Sequence, residues 1–540
     1  REAGELFCRV PVARLVDSLT EQFGIRSLEF SPEFGFKLNG KKIFLQGNAN
    51  HHDLGALGAT CYDKAIERMM LQLKSFGYNC IRCSHNPYSD SFARIADRVG
   101  ILVVDELTDK WSDNDYWGGR QPFTHIWHKL ITEWIKRDRN RPSIILWSLG
   151  NELQIREGWA GFEGTNDWGI TTYNIFNQLV KRWDHTRLTT VAMFPARAGA
   201  ITRHDKEFND YLVPPELACA TEVASFNYQS DKYDAYLKYR PDLILFQSEA
   251  ETSNLLQPYY NMDKERMVGI AYWGSVEYWG ESNKWPKKGW NYSFFEHTMR
   301  PYPQAYLIKT AFMPEIPEVH IGVVDAAGAE SVSWNDVIVG RMALNECWNH
   351  TPGSRRSLFT FTNAHSVELL VNGQSMGIQK NDTTRANLRN MIYWKDVPYG
   401  NGGSVVAIAR DKSGKEVARH RIETAGKAVA LRIEAETPTD WKADGMDLQY
   451  INVTVIDKKG RPVWDYNEPL TLQMEGAARL VALDNGDHYT DELFHGITSK
   501  RMYQGRMQII LRSDQEAGNV TVKISSAGLK GTLRLKTIKE

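Results

Sequence analysis

The chain is short of cysteine, of net charge and of long apolar runs. Its 540 residues hold six cysteines, and 65 Lys+Arg against 66 Asp+Glu leave a formal charge of −1. Near-neutrality supplies no global field for nucleic acid or an anionic membrane, so neither nucleic-acid binding nor membrane insertion is expected. No apolar run approaches the roughly 18 residues that a spanning helix needs. The cysteines, at positions 8, 61, 80, 83, 219 and 347, imply no disulfide framework. Only Cys80 and Cys83 form a C-x-x-C. They flank Ile81-Arg82 in what reads as a short buried strand, where residues three apart point to opposite faces. One such pair without a second Cys/His pair is also a poor zinc site. The opening Arg1-Glu2-Ala3-Gly4-Glu5 is not a signal peptide, though a removed leader would leave no trace. What the chain does have is 42% hydrophobic residues, enough for large cores, and 17 Trp, 23 Tyr and 21 Phe. A neutral chain so rich in aromatics stacks sugars or other flat apolar faces, or spends them on large cores.

From about residue 36 to 312, short apolar runs alternate with helical periodicity, the text of an α/β domain. Ile43-Phe44-Leu45 reads as the first strand. Ala65, Ile66, Met69, Met70, Leu73 and Phe76 then recur at helical spacing and Gly77 closes the helix. Further strands are expected at 80–82, 101–104, 143–147, 188–192, 223–226, 243–246 and 269–273. Eight strands over such a length are the signature of a (β/α)8 barrel. After Pro314 the helical period fades and alternating strands with Gly-centred turns take over, as in Ser366–Val371 running into Asn372-Gly373. The expected architecture is multidomain, a TIM barrel over 29–313 followed by two all-β immunoglobulin-like sandwiches over 314–425 and 426–540. Residues 1–28 read as the tail of a preceding immunoglobulin-like sandwich, so the chain is expected to begin inside a longer protein.

Polar clusters fall at the C-terminal ends of these strands, the face on which barrel enzymes place their chemistry. The first strand runs into Asn48–Asp53, the second into Cys83–Pro87, the fourth into Ser148–Glu152 and the seventh into Gln247–Glu251. A carboxylate directly after a buried strand is held rigidly at the rim of a water-poor cavity. Two of them, one protonated and one ionised, are what glycoside hydrolysis requires. Glu152 and Glu249 are the candidates, with Glu251 competing for the second place. Separation of the carboxyl groups by about 5–5.5 Å would make a retaining enzyme. The adjacent His51-His52 invites a zinc reading, but neighbouring histidines on an extended chain diverge and no H-x-H or H-x-x-x-H accompanies them. Trp111, Trp117, Trp168, Trp279, Trp285 and Trp290 are candidates for lining sugar subsites, whereas Trp127 and Trp134 read as helix-borne core.

The stretch Arg139-Asn140-Arg141-Pro142-Ser143-Ile144-Ile145-Leu146-Trp147-Ser148-Leu149-Gly150-Asn151-Glu152 resembles the acid/base signature of glycoside hydrolase family 2. That family includes β-galactosidases, β-glucuronidases and β-mannosidases. Ile81–Pro87, Val103–Glu106, Gly47–Ala59 and Trp273–Glu281 resemble its other barrel landmarks in the right order, with Glu277 where Asp is commoner. The similarity runs from about residue 24 to the end. It implies Glu152 as acid/base, Asn151 as the contact to the sugar 2-hydroxyl, and Glu249 as nucleophile. It also implies His51, His85, Tyr228 and Trp273 as sugar-contacting or transition-state-supporting groups, and Arg82 as the cation beside Glu249. Family members carry a sugar-binding-like sandwich and a full immunoglobulin-like domain ahead of the barrel; in this stretch of sequence only the tail of the latter is expected. Some bind Mg²⁺ through an acidic residue and a His after the third strand, where this chain has Lys110 and Ser112, so no metal and no cofactor are expected. The implied activity is retaining, exo-acting hydrolysis of terminal β-galactosides in an oligosaccharide partner, with algal galactans among the substrates of such relatives. The alternatives are β-glucuronidase and a non-catalytic carbohydrate-binding protein on the same scaffold. Glucuronidases use an Asn-x-Lys after the eighth strand; Trp285-Pro286-Lys287-Lys288-Gly289 keeps a lysine without the Asn, and Asn283-Lys284 has the wrong spacing. Relatives from polysaccharide-degrading bacteria suggest a periplasmic or secreted bacterial location. A homo-oligomer is compatible with the sequence.

Overall fold

The computed structural model describes residues 20–21, 23–111, 123–153, 169–194, 213–282, 285–325, 330–334 and 337–539. The segment 1–19, with Cys8, and Ser112, Trp117, Trp168, Asn283 and Lys284 lie outside them. The described part of Arg1–Leu45, with Cys80–Ser248 and Asp263–Gly269, forms one compact unit; Gln46–Asn79, Glu249–Met262 and Ile270–Glu540 form a second.

Eight strands close into a barrel: β1 (Leu45–Asn50), β2 (Cys80–Cys83), β3 (Leu102–Glu106), β4 (Ile144–Asn151), β5 (Leu188–Met193), β6 (Val223–Asn227), β7 (Leu245–Ala250) and β8 (Gly269–Trp273). Neighbours from β2 to β6 pair in parallel. Strands covered on both faces read as continuous apolar runs, and all eight residues of β4 are buried. Helices α1 (Asp63–Ser75), α2 (Asp90–Val99), α3 (Phe123–Asp138) and α4 (Ile170–Trp183) follow β1 to β4. The second shows how its ends are written: the Ser89 hydroxyl accepts the Phe92 N–H at 3.2 Å, and Gly100 closes the helix with φ 77°.

The barrel is the one that the eight apolar runs announce, with a difference at its start. The reading centred on Ile43–Leu45 stops where the strand begins, because β1 continues through the polar Gln46-Gly47-Asn48-Ala49-Asn50. Its asparagines are structural acceptors: Asn48 Oδ1 takes the Ser275 N–H at 3.2 Å and Asn50 Oδ1 the Val276 N–H at 3.4 Å. Propensity yields there to hydrogen bonds made more than 200 residues away.

Beyond the barrel the described strands are antiparallel. A sheet of Leu344–Asn345, Val319–Val324, Arg355–Thr362 and Met391–Pro398 shares an apolar core with Gln374–Lys380, Ser366–Val371, Ser404–Arg410 and Glu416–Glu423. A second pair of four-stranded sheets, spanning 428–536, closes around Trp441, Ile451, Leu472 and Ile509. In the second unit, Ala56, Leu57 and Ala65 pack on Leu448, Tyr450 and Ile510 in a separate apolar cluster, apart from that last core. The five described cysteines are free. Burial pushes the Cys80 thiol up to about 12 and raises Cys83 as well, so both are inert core groups. Among the described residues no helix is long and apolar enough to cross a membrane.

Candidate active site

The first unit places a buried polar network at the C-terminal ends of β2, β3, β4 and β6. The backbone of β4 is pinned there, because Asn151 N–H donates to the Asp109 carbonyl at 2.7 Å and Glu152 N–H to the Ala192 carbonyl at 2.6 Å. Glu152 has φ 51°, a left-handed conformation that a glutamate adopts only under constraint. The turn leaves its side chain 5% exposed, where Oε1 accepts from Asn227 Nδ2 at 3.1 Å. That amide also donates to Asn151 Oδ1 at 3.0 Å, and Asn227 Oδ1 accepts from the Ser248 hydroxyl at 2.7 Å. A run of hydrogen bonds therefore links the end of β7 to Glu152 through a residue at the end of β6.

Behind Asn151 lies a charged group. Arg82 Nη2 donates to Asn151 Oδ1 at 3.0 Å and to both Glu106 oxygens, at 2.7 and 3.0 Å. Glu106 also accepts from Ser148 Oγ at 2.6 Å and from His85 Nδ1 at 2.6 Å. Burial works against the Glu106 carboxylate, but Arg82 and His85 hold it below its usual pKa. Burial likewise opposes a charge on His85, and Glu106 outweighs it, so that imidazole is raised. The pair Arg82–Glu106 is fully buried, and stripping one member from such a pair costs on the order of 3–5 kcal/mol.

Asp109 Oδ1 accepts from Asn151 Nδ2 at 3.0 Å and from the Lys110 ammonium at 2.7 Å; that ammonium also donates to the Asn151 carbonyl at 3.1 Å. Lys110 is buried and brings its own positive charge to this acidic group, so the residues present do not fit a divalent ion there.

The second unit carries the other candidates. Glu249 lies within β7 and is 3% exposed, whereas Glu251 follows the strand, is half-buried and accepts from the Asn254 amide. Burial first, then Glu281 and more weakly Glu249, push the phenol of Tyr278 well up. His51 stands edge-on to two aromatic rings, 5.1 Å from Trp273 and 4.9 Å from Tyr278 between centroids. In the first unit Tyr228, half-buried with φ 58°, stands edge-on to Phe194 at 5.9 Å.

Two residues of this network, Asn227 beside Glu152 and Glu106 behind Asn151, have no role assigned from the sequence. Glu106 is a carboxylate ending an apolar barrel strand, the signal that picks out Glu152, and applying it to every strand would have found it; Asn227 also ends such a strand but is an amide, which that signal passes over. Of the tryptophans read as subsite candidates, Trp111 is buried, donates to the Leu149 carbonyl at 2.8 Å and packs on Phe176, which is support for β4. Trp290 is buried beside Tyr278, Trp279 donates to the Gly55 carbonyl at 2.6 Å, and Trp285 is exposed.

Comparison with known proteins matches residues 33–266 to the glycosyl hydrolases family 2 TIM barrel domain and 431–533 to the glycoside hydrolase family 2 C-terminal domain 5. Residues 353–418 match a domain of unknown function. The chain is 27% identical to the β-galactosidase BoGH2A of Bacteroides ovatus, covering 95% of this chain and 64% of that protein. It is 43% identical to a putative β-glucuronidase of Formosa agariphila, covering 97% of this chain and 51% of that one. A crystal structure of a glycosyl hydrolase family 2 member from Bacteroides cellulosilyticus superposes with a TM-score of 0.80 at 29% identity, over 95% of this chain and 64% of the other. The chain thus spans between half and two thirds of the length of these relatives.

Proposed function

Because the chain belongs to glycoside hydrolase family 2, we propose that it is a retaining, exo-acting glycosidase releasing terminal β-linked galactose from oligosaccharides. The observation that carries this reading is the support given to Glu152, buried at the end of β4 with Oε1 held 3.1 Å from Asn227 Nδ2. In the first step the Glu249 carboxylate attacks the anomeric carbon, the glycosidic C–O bond breaks, and Glu152 gives its proton to the leaving oxygen. In the second, Glu152 takes a proton from water, whose oxygen displaces Glu249 and frees the sugar with retained configuration. Asn151, fixed by Arg82 and Asp109, presents its amide to the 2-hydroxyl, while His51, His85, Tyr228 and Trp273 contact the ring. No step runs through a metal or a cofactor. A periplasmic or secreted location in a bacterium fits an oligosaccharide substrate.

A second reading, β-glucuronidase, is favoured by the name of the 43%-identical relative. A uronate needs a cation at the sugar. Lys287 is buried with its ammonium 4.1 Å from the Tyr292 ring centre, which supports a structural task for it and the galactoside reading.

Chromogenic β-galactoside and β-glucuronide assayed side by side decide between the two. We expect turnover of the galactoside, and hydrolysis of the glucuronide alone would replace the reading. Glu249→Gln should abolish turnover whatever the leaving group. Glu152→Gln should spare the first step on substrates with good leaving groups, and azide should partly rescue Glu152→Ala. Identical responses of both positions to leaving group and azide would overturn the two roles.

A further inference from the structure

Away from the strand ends just described, the second unit holds a buried cluster where the segment after β8 meets the last pair of sheets. Glu277, His297, Asp484 and His488 are all buried. His297 Nδ1 lies 3.0 Å from Glu277 Oε2, and His488 Nδ1 lies 3.4 Å from the same oxygen. One ligand atom from each of Glu277, His297 and His488 lies within 4.8 Å of the others. On its far side, His297 Nε2 lies 3.0 Å from Asp484 Oδ1, and Glu277 Oε1 accepts from the Tyr302 hydroxyl at 2.6 Å.

The chemistry of these contacts needs a cation. Asp484 is an acceptor and therefore takes the Nε2 proton of His297, which leaves the Nδ1 lone pair aimed at a carboxylate oxygen. Two lone pairs at that distance repel unless a proton or a metal ion stands between them. A proton on His297 accounts for that contact but leaves His488 unexplained. Its ring is 3% exposed, and neither of its nitrogens makes a hydrogen bond. An imidazole buried in that condition forfeits about 1–3 kcal/mol. A tetrahedral ion bonded at about 2.0–2.1 Å to nitrogen and oxygen sets its donors about 3.3 Å apart. The observed 3.0 and 3.4 Å bracket that value. The Asp484–His297 contact is also the usual outer partnership of a metal-binding imidazole, fixing its tautomer and raising its basicity.

A second cluster, His320, Glu346 and His420, shows what a metal-free arrangement looks like. There His420 Nδ1 accepts the Ile321 N–H at 3.0 Å, so the proton of the neutral ring sits on Nε2, the atom that faces Glu346. That nitrogen is a donor, not a ligand.

We propose that Glu277 Oε2, His297 Nδ1 and His488 Nδ1 bind one zinc ion, with Asp484 orienting His297 and water in the fourth position. The ion ties residues 277 and 297, beyond the last barrel strand, to residue 488 of the C-terminal sheets. No spacing in the sequence announces it, since the third ligand lies 191 residues after the second. Two imidazoles and a carboxylate suit zinc better than the oxygen-loving Mg²⁺ or Ca²⁺.

Elemental analysis of the whole purified chain tests this. We expect about one zinc per chain, released when the protein is unfolded with a chelator and regained on refolding with Zn²⁺. Refolding with Co²⁺ should give the visible absorption of a four-coordinate nitrogen and oxygen site. Asp484→Asn should keep the fold and weaken metal affinity by about 10–100-fold, and His488→Gln should lose the ion. If His488→Gln fails to fold, the Asp484→Asn affinity and the cobalt spectrum still decide. A chain refolded with Zn²⁺ that holds no metal, and whose Tm does not respond to Zn²⁺, would overturn the site and leave His297 as a protonated link between Glu277 and Asp484. Unchanged zinc content and affinity in both variants would place the metal elsewhere and equally overturn it.

Discussion

Asn227 helps to place Glu152 from the end of β6. Its amide nitrogen reaches Glu152 Oε1 and Asn151 Oδ1 together, and its oxygen is spoken for by Ser248. An amide cannot protonate a leaving group, so Asn227 is a positioning residue, and its loss should show only where proton delivery limits the rate. A positioned general acid supplies about 10²–10⁴-fold. Asn227→Ala should therefore lower kcat/KM on β-galactosides with poor leaving groups by on the order of tenfold or more, while an activated aryl galactoside changes little. Asn227→Asp, which places a like charge beside Glu152, should shift the alkaline limb of the pH–rate profile upward. Equal losses on both substrate types, with the pH profile unmoved, would reduce Asn227 to a packing residue.

At the scale of elements, turns are set by backbone chemistry that the sequence states openly. The hairpin between Ser366–Val371 and Gln374–Lys380 turns on Asn372 and Gly373 with φ 51° and 82°, the pair of positive values that a two-residue type I′ turn demands. Asn372 is further fixed by the Ser404 N–H at 2.8 Å on its Oδ1 and by donating to the Gly402 carbonyl at 3.0 Å. A Cβ on Gly373 meets nothing within 4 Å, so the cost of Gly373→Ala is conformational, about 1–2 kcal/mol. Gly373→Asn should cost less, because asparagine tolerates the left-handed region. Urea unfolding midpoints read both; equal midpoints for the two variants would show that the turn carries no strain.

For the molecule as a whole, acid should act first on the sheets between 319 and 423. Burial and the neighbouring His320 push His420 down to about 3, and burial and Arg356 push His350 down to about 4. Burial works to raise Glu346, but His320 and Arg300 hold it down to about 2. The Tyr306 ring stacks on His320 at 3.6 Å and adds no compensating charge near neutrality. A histidine held neutral in the fold binds its proton more readily when unfolded, so its contribution is full above pH 6.5 and is lost as the pH falls toward its folded value. The Glu346 contribution is full above 4.5 and is lost as the pH falls toward about 2. All three have the same sign. The first thermal transition should therefore fall steadily from pH 6.5 downward and steepen below 4.5. His420→Asn keeps an acceptor for the Ile321 N–H and should flatten the upper part of that slope; calorimetry at stepped pH checks it, and a wild-type midpoint flat from 6.5 to 4.5 would contradict a neutral His420.

The barrel is legible in the order of residues because strands buried on both faces must be apolar throughout, and helices between them must repeat every three or four positions. Ile144–Trp147 and the α1 apolar positions announce themselves on that ground alone. So do the change to alternating text after Pro314 and the Asn372-Gly373 turn. Glu152 stands out as a carboxylate ending such a run. What holds Glu152 is a matter of tertiary structure, because Asn227 lies 75 residues away and Glu106 meets Arg82 and Ser148 across three strands. The polar half of β1 is another such case: its asparagines look like loop until their acceptors meet Ser275 and Val276. The meeting of Glu277, His297 and His488 is a third. Periodicity records which face of an element is dry, since burial acts on every residue of that face. A hydrogen bond or a ligand set involves single atoms from distant segments, and only the folded chain brings those atoms to one point.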